Sequence, residues 1–164
     1  MSETAQAEEA PAERVFLVVV DESAEMKVAL RYACRRARKT GGRVALLYVL
    51  EPADYQHWVA VGDLMREERR ATAERLLQRL AAKVNIWTGS IPVLFVREGN
   101  TIDELIKLVD EEPSISIIVL AASIGPKAPG PLINALASKH IGRLRVPLTI
   151  VPGDLTYNDI RKIS

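Results

Sequence analysis

The chain has 164 residues, enough for one domain with a full hydrophobic core. Its apolar fraction of 48% is that of a globular protein, and 22 basic against 21 acidic residues leave a net charge of +1, which excludes a general attraction to nucleic acid or to an anionic membrane. The lone Cys34 excludes an internal disulfide and fits a reducing compartment, and no apolar stretch approaches the roughly 20 residues of a membrane span, so a cytoplasmic protein is expected.

Met1 to Arg14 lacks the apolar core of a signal peptide, and its Ala, Glu and Ser content predicts a disordered tail over 1–14. Val15 to Val20 is short and β-branched, the pattern of a buried strand. From Ala24 to Thr40, residues Leu30, Ala33, Cys34 and Ala37 fall at helical spacing, which makes Cys34 a buried structural thiol. Gly41-Gly42 stops that helix, and Arg35, Arg36, Arg38 and Lys39 suit its negative end. Val44 to Leu50 reads as a second strand. A polar stretch with Tyr55, His57 and Trp58 precedes a long helix from about Gly62 to Val84.

Ile91 to Val96 predicts a third strand that tolerates Pro92 near its start. A turn over Arg97 to Asn100 leads to Thr101 and Glu104, which have capping-box spacing, and to a helix face of Ile102, Leu105, Ile106 and Val109. Ile115 to Leu120 is a fourth strand. A Gly/Pro-rich loop, Ile124 to Pro131, places Pro131 at a first helical position, and Ile133, Leu136, Ala137, Ile141 and Leu144 mark a last helix. Leu148 to Val151 is a fifth strand. The polar segment 153–164 suits either a short helix or disorder. The domain is thus expected over 15–152. Strand and helix alternate throughout, which predicts an α/β fold with a parallel sheet and helices on both faces. Periodicity leaves the strand orders 2-1-3-4-5 and 3-2-1-4-5 both open.

Ligands of such sheets bind beyond the carboxyl ends of the strands. Asp21 stands there after the first strand, followed by Glu22 and Ser23. Asp21 or Ser23 can cap the next helix, and Asp21 can equally accept a hydrogen bond from a ligand hydroxyl or amine. Val49 either packs in the core or lines a slot for a flat ring. In the loop Ser123 to Pro131, Gly125 and Gly130 can expose N–H groups to a phosphate, Lys127 adds a charge, and Pro126, Pro129 and Pro131 remove three donors. His57 and His140 lack metal-ligand spacing, and His140 reads as structural. The chain has no P-loop lysine motif, no GxGxxG after the first strand, no nucleophile elbow and no CxxC.

The sequence resembles the universal stress protein family. The resemblance runs from Val15 to Pro152 and rests on Asp21-Glu22-Ser23 after strand one and Leu46 to Pro52 at strand two. It continues through Val96-Arg97-Glu98-Gly99, Ile117 to Leu120, and Val146 to Val151. It implies strand order 3-2-1-4-5, as in adenine nucleotide alpha-hydrolase-like folds, and a stress-associated homodimer paired through the last strand. Nucleotide-binding members carry Gly-x2-Gly-x9-Gly-Ser/Thr after strand four. Here that pattern falls on Ala121, Ile124, Asn134 and Ala135, while Asp21 and Val49 match positions that contact ribose and adenine. The base half of a nucleotide site is therefore expected and the phosphate half is not.

A non-catalytic stress-response homodimer with weak or absent nucleotide binding is the function expected. One alternative is an ATP- or AMP-binding sensor that uses Ser23, Ala121, Gly125, Lys127 and Gly130 beside Asp21 and Val49. The other is an enzyme of the adenine nucleotide alpha-hydrolase type. No metal, membrane or nucleic-acid partner is implied.

Overall fold

The computed structural model describes residues 13–52 and 59–164. The expected tail up to residue 12, and the stretch with Tyr55, His57 and Trp58, lie outside these. The elements run β1 (Val15–Val19), α1 (Ala24–Thr40), β2 (Arg43–Leu50), α2 (Val59–Thr88), β3 (Val93–Glu98), α3 (Thr101–Glu111), β4 (Ile115–Ala122), α4 (Pro131–Asn134), β5 (Leu148–Pro152) and α5 (Tyr157–Ile163). The five strands form one sheet in the order β3-β2-β1-β4-β5, and every pairing is parallel. This is the α/β architecture expected, and it closes the choice that periodicity left open.

β1 lies at the centre, and all five of its residues are buried. An unbroken apolar run is what a strand covered on both faces requires. Phe16 and Val18 pack under α1 and α2 with Leu30, Cys34, Leu77 and Val84. Val15, Leu17 and Val19 face the other way, against Leu105, Leu108, Ile133 and Leu136 of α3 and the segment after β4. Register slips once, where Val15 pairs with Ile115 but Phe16 with Ile117. Ser116 is the extra residue, and its Oγ accepts the Val15 N–H at 3.4 Å.

Several boundaries differ from the sequence expectation, each for a local reason. α2 extends through Trp87 to Thr88 and stops only where Gly89 adopts φ +78° and donates to the Asn85 carbonyl at 2.8 Å. β3 starts at Val93, paired with Ala45, because Ile91 is 71% exposed and Pro92 has no N–H for the ladder. At its end Arg97 and Glu98 pair with Val49 and Leu50 instead of turning. The cap of α3 is Asn100, whose side chain accepts from Ile102 and Asp103, so Thr101 and Glu104 form no capping box.

The last predicted helix is broken into three. α4 passes into a π-helical turn, Ala135–Lys139, where His140 N–H reaches the Ala135 carbonyl at 3.0 Å, and then into a 3₁₀ turn, Ile141–Arg143. The wider turn keeps Ile133 and Leu136 buried but leaves Ala137 and Ile141 exposed. The segment after β5 folds back as α5, capped by a Thr156–Asp159 capping box, with Ile160 buried. Among the described residues, no helix is long and apolar enough to cross a membrane.

Candidate functional site

The carboxyl ends of β1, β2 and β4 open on one rim, and Asp21 stands at its middle. The Val20 N–H donates to the Leu47 carbonyl at 2.7 Å, which carries the sheet pairing up to Asp21. Asp21 Oδ1 accepts from the Ser23 N–H at 2.8 Å and from the Ser23 hydroxyl at 2.5 Å. Ser23 Oγ in turn accepts the Met26 N–H at 3.3 Å and is the cap of α1. Asp21 therefore holds the cap and does not itself cap the helix. The Ser23 hydroxyl donates to Asp21 and accepts from α1, an arrangement that fixes the helix start.

Two clefts flank Asp21. The first, of about 240 Å³, lies between the ends of β1 and β4 and is lined by Ser23, Glu25, Ala121, Ser123 and Gly130, among others. The second, of about 400 Å³, lies between the ends of β1 and β2 and is lined by Tyr48, Val49, Glu51, Asn100, Thr101 and Ile102, among others. Val19, Asp21, Pro131 and Leu132 line both, so the start of α4 forms a shared wall.

Of the residues singled out from sequence, Asp21, Ser23, Ala121 and Gly130 thus meet at the first cleft, and Asp21 and Val49 at the second. Gly130 takes φ +115°, a conformation that favours glycine, and its carbonyl accepts from the Asn134 N–H at 3.0 Å. Gly125 and Lys127 are exposed and line neither cleft. Their loop closes on itself, with Ala128 N–H donating to the Gly125 carbonyl and Ser123 N–H to that of Pro129. Ile124 is 58% exposed, and neither it, Asn134 nor Ala135 reaches a cleft.

Sequence reasoning missed Glu25, Glu51, Asn100, Thr101 and Leu132. Glu51 carried the available signal, since it follows β2 as Asp21 follows β1. Its Oε1 accepts from the Thr101 hydroxyl at 2.7 Å and from the Thr101 N–H at 3.2 Å, tying the end of β2 to the start of α3. These bonds, the hydroxyl first, hold the Glu51 carboxyl below its ordinary pKa. The carboxylates of the two clefts are Asp21, Glu25 and Glu51, and among the described residues neither is lined by Lys or Arg. Such a rim suits a neutral, hydroxyl-bearing group and opposes a phosphate chain. Among the described residues, no group of three or more His, Cys, Asp or Glu is placed to hold a metal ion. His140 is half-exposed, with Nδ1 3.1 Å from Arg143 Nη1.

Comparison with known proteins gives one consistent likeness. The profile of the universal stress protein family matches residues 13–152. The fold is similar to that of the universal stress protein UspA from Lactobacillus plantarum, at 18% identity and a TM-score of 0.70, covering 87% of this chain and 99% of that one. It is also similar to a universal stress protein family member from Burkholderia pseudomallei, at 18% identity and a TM-score of 0.66, covering 88% and 99%. A third is the universal stress protein from Archaeoglobus fulgidus in complex with dAMP, at 20% identity and a TM-score of 0.54, covering 86% and 98%. No curated protein matches the sequence.

Proposed function

Because this chain belongs to the universal stress protein family, we propose that it acts as a non-catalytic stress-response protein. In this reading it is a cytoplasmic homodimer paired through β5, with weak or absent nucleotide binding. The observation that carries the ligand part is the charge of the rim. Asp21, Glu25 and Glu51 line the two clefts, Lys127 stands outside both, and no described cation replaces it. A nucleoside can offer hydroxyls to Asp21 and a ring face to the slot beside Val49. A triphosphate adds charge facing carboxylates. The unattached Cys34 thiol, on the buried face of α1, supports a reducing compartment.

The second reading is an ATP- or AMP-binding sensor with a rearranged Gly/Pro loop. The relative from Archaeoglobus fulgidus bound to dAMP favours it, as does the place of Gly130 on the first cleft. It requires the loop of Gly125 and Lys127 to turn inward. An alpha-hydrolase-type enzyme is the least supported, since among the described residues no His or Lys lines either cleft as a partner for a nucleophile.

Calorimetric titration separates the first two readings. Adenosine and ATP are expected to differ in affinity by less than about tenfold, or roughly 1.4 kcal/mol. Submicromolar ATP binding that collapses when the phosphates are removed establishes the sensor instead.

A further inference from the structure

Away from the rim, the later turns of α1 meet the end of α2 and the start of α5 around a cleft of about 500 Å³. Four cations line it, Arg31, Arg35, Arg38 and Lys39, together with Trp87 and Tyr157, and no described carboxylate does. Their i, i+4, i+7, i+8 spacing makes one stripe along about 12 Å of helix, at 1.5 Å per residue. In a chain of net charge +1 this concentration is local. Complementing the helix dipole accounts for Arg38 and Lys39 in the last turn, but that effect fades within a turn and does not reach Arg31.

None of the four is ion-paired to a described Asp or Glu side chain. Arg31 is held by ring faces instead, its guanidinium carbon 4.1 Å from the Trp87 centroid and 4.6 Å from that of Tyr157. Rings fix a guanidinium without neutralising it or using its N–H donors. Arg35 Nε donates to Ser164 Oγ at 2.7 Å, and Lys39 Nζ to a main-chain oxygen of Ser164. Both keep further donors, because Arg has five N–H groups and Lys three.

We propose that this cleft binds a small polyanion with two or more phosphoryl groups, held by Arg31, Arg35, Arg38 and Lys39. Guanidinium groups match phosphoryl oxygens in pairs, and the cleft has the size of small-molecule sites, roughly 300–1,000 Å³. One phosphoryl group, of about −2 charge, leaves part of the stripe unneutralised, so a chain of them fits better. The site lies towards the far end of α1 from Ser23 and does not depend on the rim clefts; ATP also engages it through its phosphates, so the comparison of adenosine with ATP at the rim is made with tripolyphosphate in excess.

The probe is inorganic tripolyphosphate, titrated calorimetrically into the full chain in about 0.15 M salt. Saturable binding with a Kd below about 100 μM is expected, with inorganic phosphate at least about tenfold weaker. The variant Arg35→Gln/Arg38→Gln should lose at least about tenfold in affinity, while Asp21→Ala leaves it unchanged. Arg38→Gln alone, at an exposed position, should lose at least about threefold and serves if the double variant does not fold. Absence of saturable binding, or full affinity in a folded Arg38→Gln chain, overturns the site. Citrate binding as tightly as tripolyphosphate overturns the phosphoryl assignment.

Discussion

Asp21 and Ser23 form a closed local pair: one carboxylate oxygen takes both the N–H and the hydroxyl of Ser23, at 2.8 and 2.5 Å. Ser23 passes the constraint to α1 through the Met26 N–H. A Ser23→Ala substitution deletes the cap and the hydroxyl bond together. The expected cost is about 1 kcal/mol, read as a melting temperature lower by about 2–4 °C for a chain of this size. Asp21→Asn keeps an acceptor for both bonds and should lose less than half as much. Equal melting of Ser23→Ala and the parent chain, followed by circular dichroism, removes the cap from the account.

Much of this fold was legible because the sheet has two buried faces. Apolar runs such as Val15 to Val19 and Ile115 to Leu120 need no partner to be recognised, and Gly41 and Pro131 mark a helix end and start as backbone chemistry dictates. Strand order was not legible from periodicity, because both winding orders bury the same residues; it came from the family resemblance. Boundaries failed where a side chain's role depends on distant residues. Trp87 extends α2 where Arg31 of α1 meets its ring, and the Thr101 hydroxyl binds Glu51 instead of closing a capping box. At the site, Asp21, Val49 and Ala121 could be placed on the rim by strand ends alone, and Gly130 by the helix start at Pro131. The outward placement of Lys127 and the inclusion of Glu25 and Leu132 depend on how the loop closes, which spacing does not encode.

Glu51 gives a pH-dependent prediction. Its pKa is lower in the folded chain than the unfolded value of 4.5, because Thr101 bonds the ionised form. Stability from this contact is therefore present above pH 4.5 and is lost as pH falls through the lower folded pKa. Glu51 is exposed, so the contribution is small. Glu51→Gln should melt below the parent chain at pH 7, and the gap should shrink as pH falls from 4.5 towards 3. A gap that stays constant over that range means the Thr101 contact does not depend on the carboxylate charge.

The segment after β5 should behave as part of the domain and not as an appendage. Ile160 is 2% exposed, Arg31 lies over Tyr157, and Gly153 lets the chain pass where a Cβ would lie 2.2 Å from the Ala122 carbonyl oxygen. Ile160→Ala should destabilise by about 2–4 kcal/mol through the lost apolar volume and the cavity left behind. Urea unfolding should show this as a lower midpoint with an unchanged slope, since the surface exposed on unfolding is nearly the same. A shift below about 0.5 kcal/mol, the scale of surface substitutions, would show that α5 is not docked as described.

β5 is one edge of the sheet, and Ile150 within it is 42% exposed. An apolar edge strand offers unpaired N–H and C=O groups to another chain unless something covers it. A second copy meeting it antiparallel across a two-fold axis covers both edges at once, with the same surface on each side. Light scattering at micromolar protein should therefore give twice the 18.1 kDa mass of the chain. Ile150→Glu places like charges near one another across that axis and should shift the mass to the monomer while the circular dichroism spectrum stays unchanged. A monomeric mass for the parent chain, or a dimer that persists in Ile150→Glu, moves the interface away from β5.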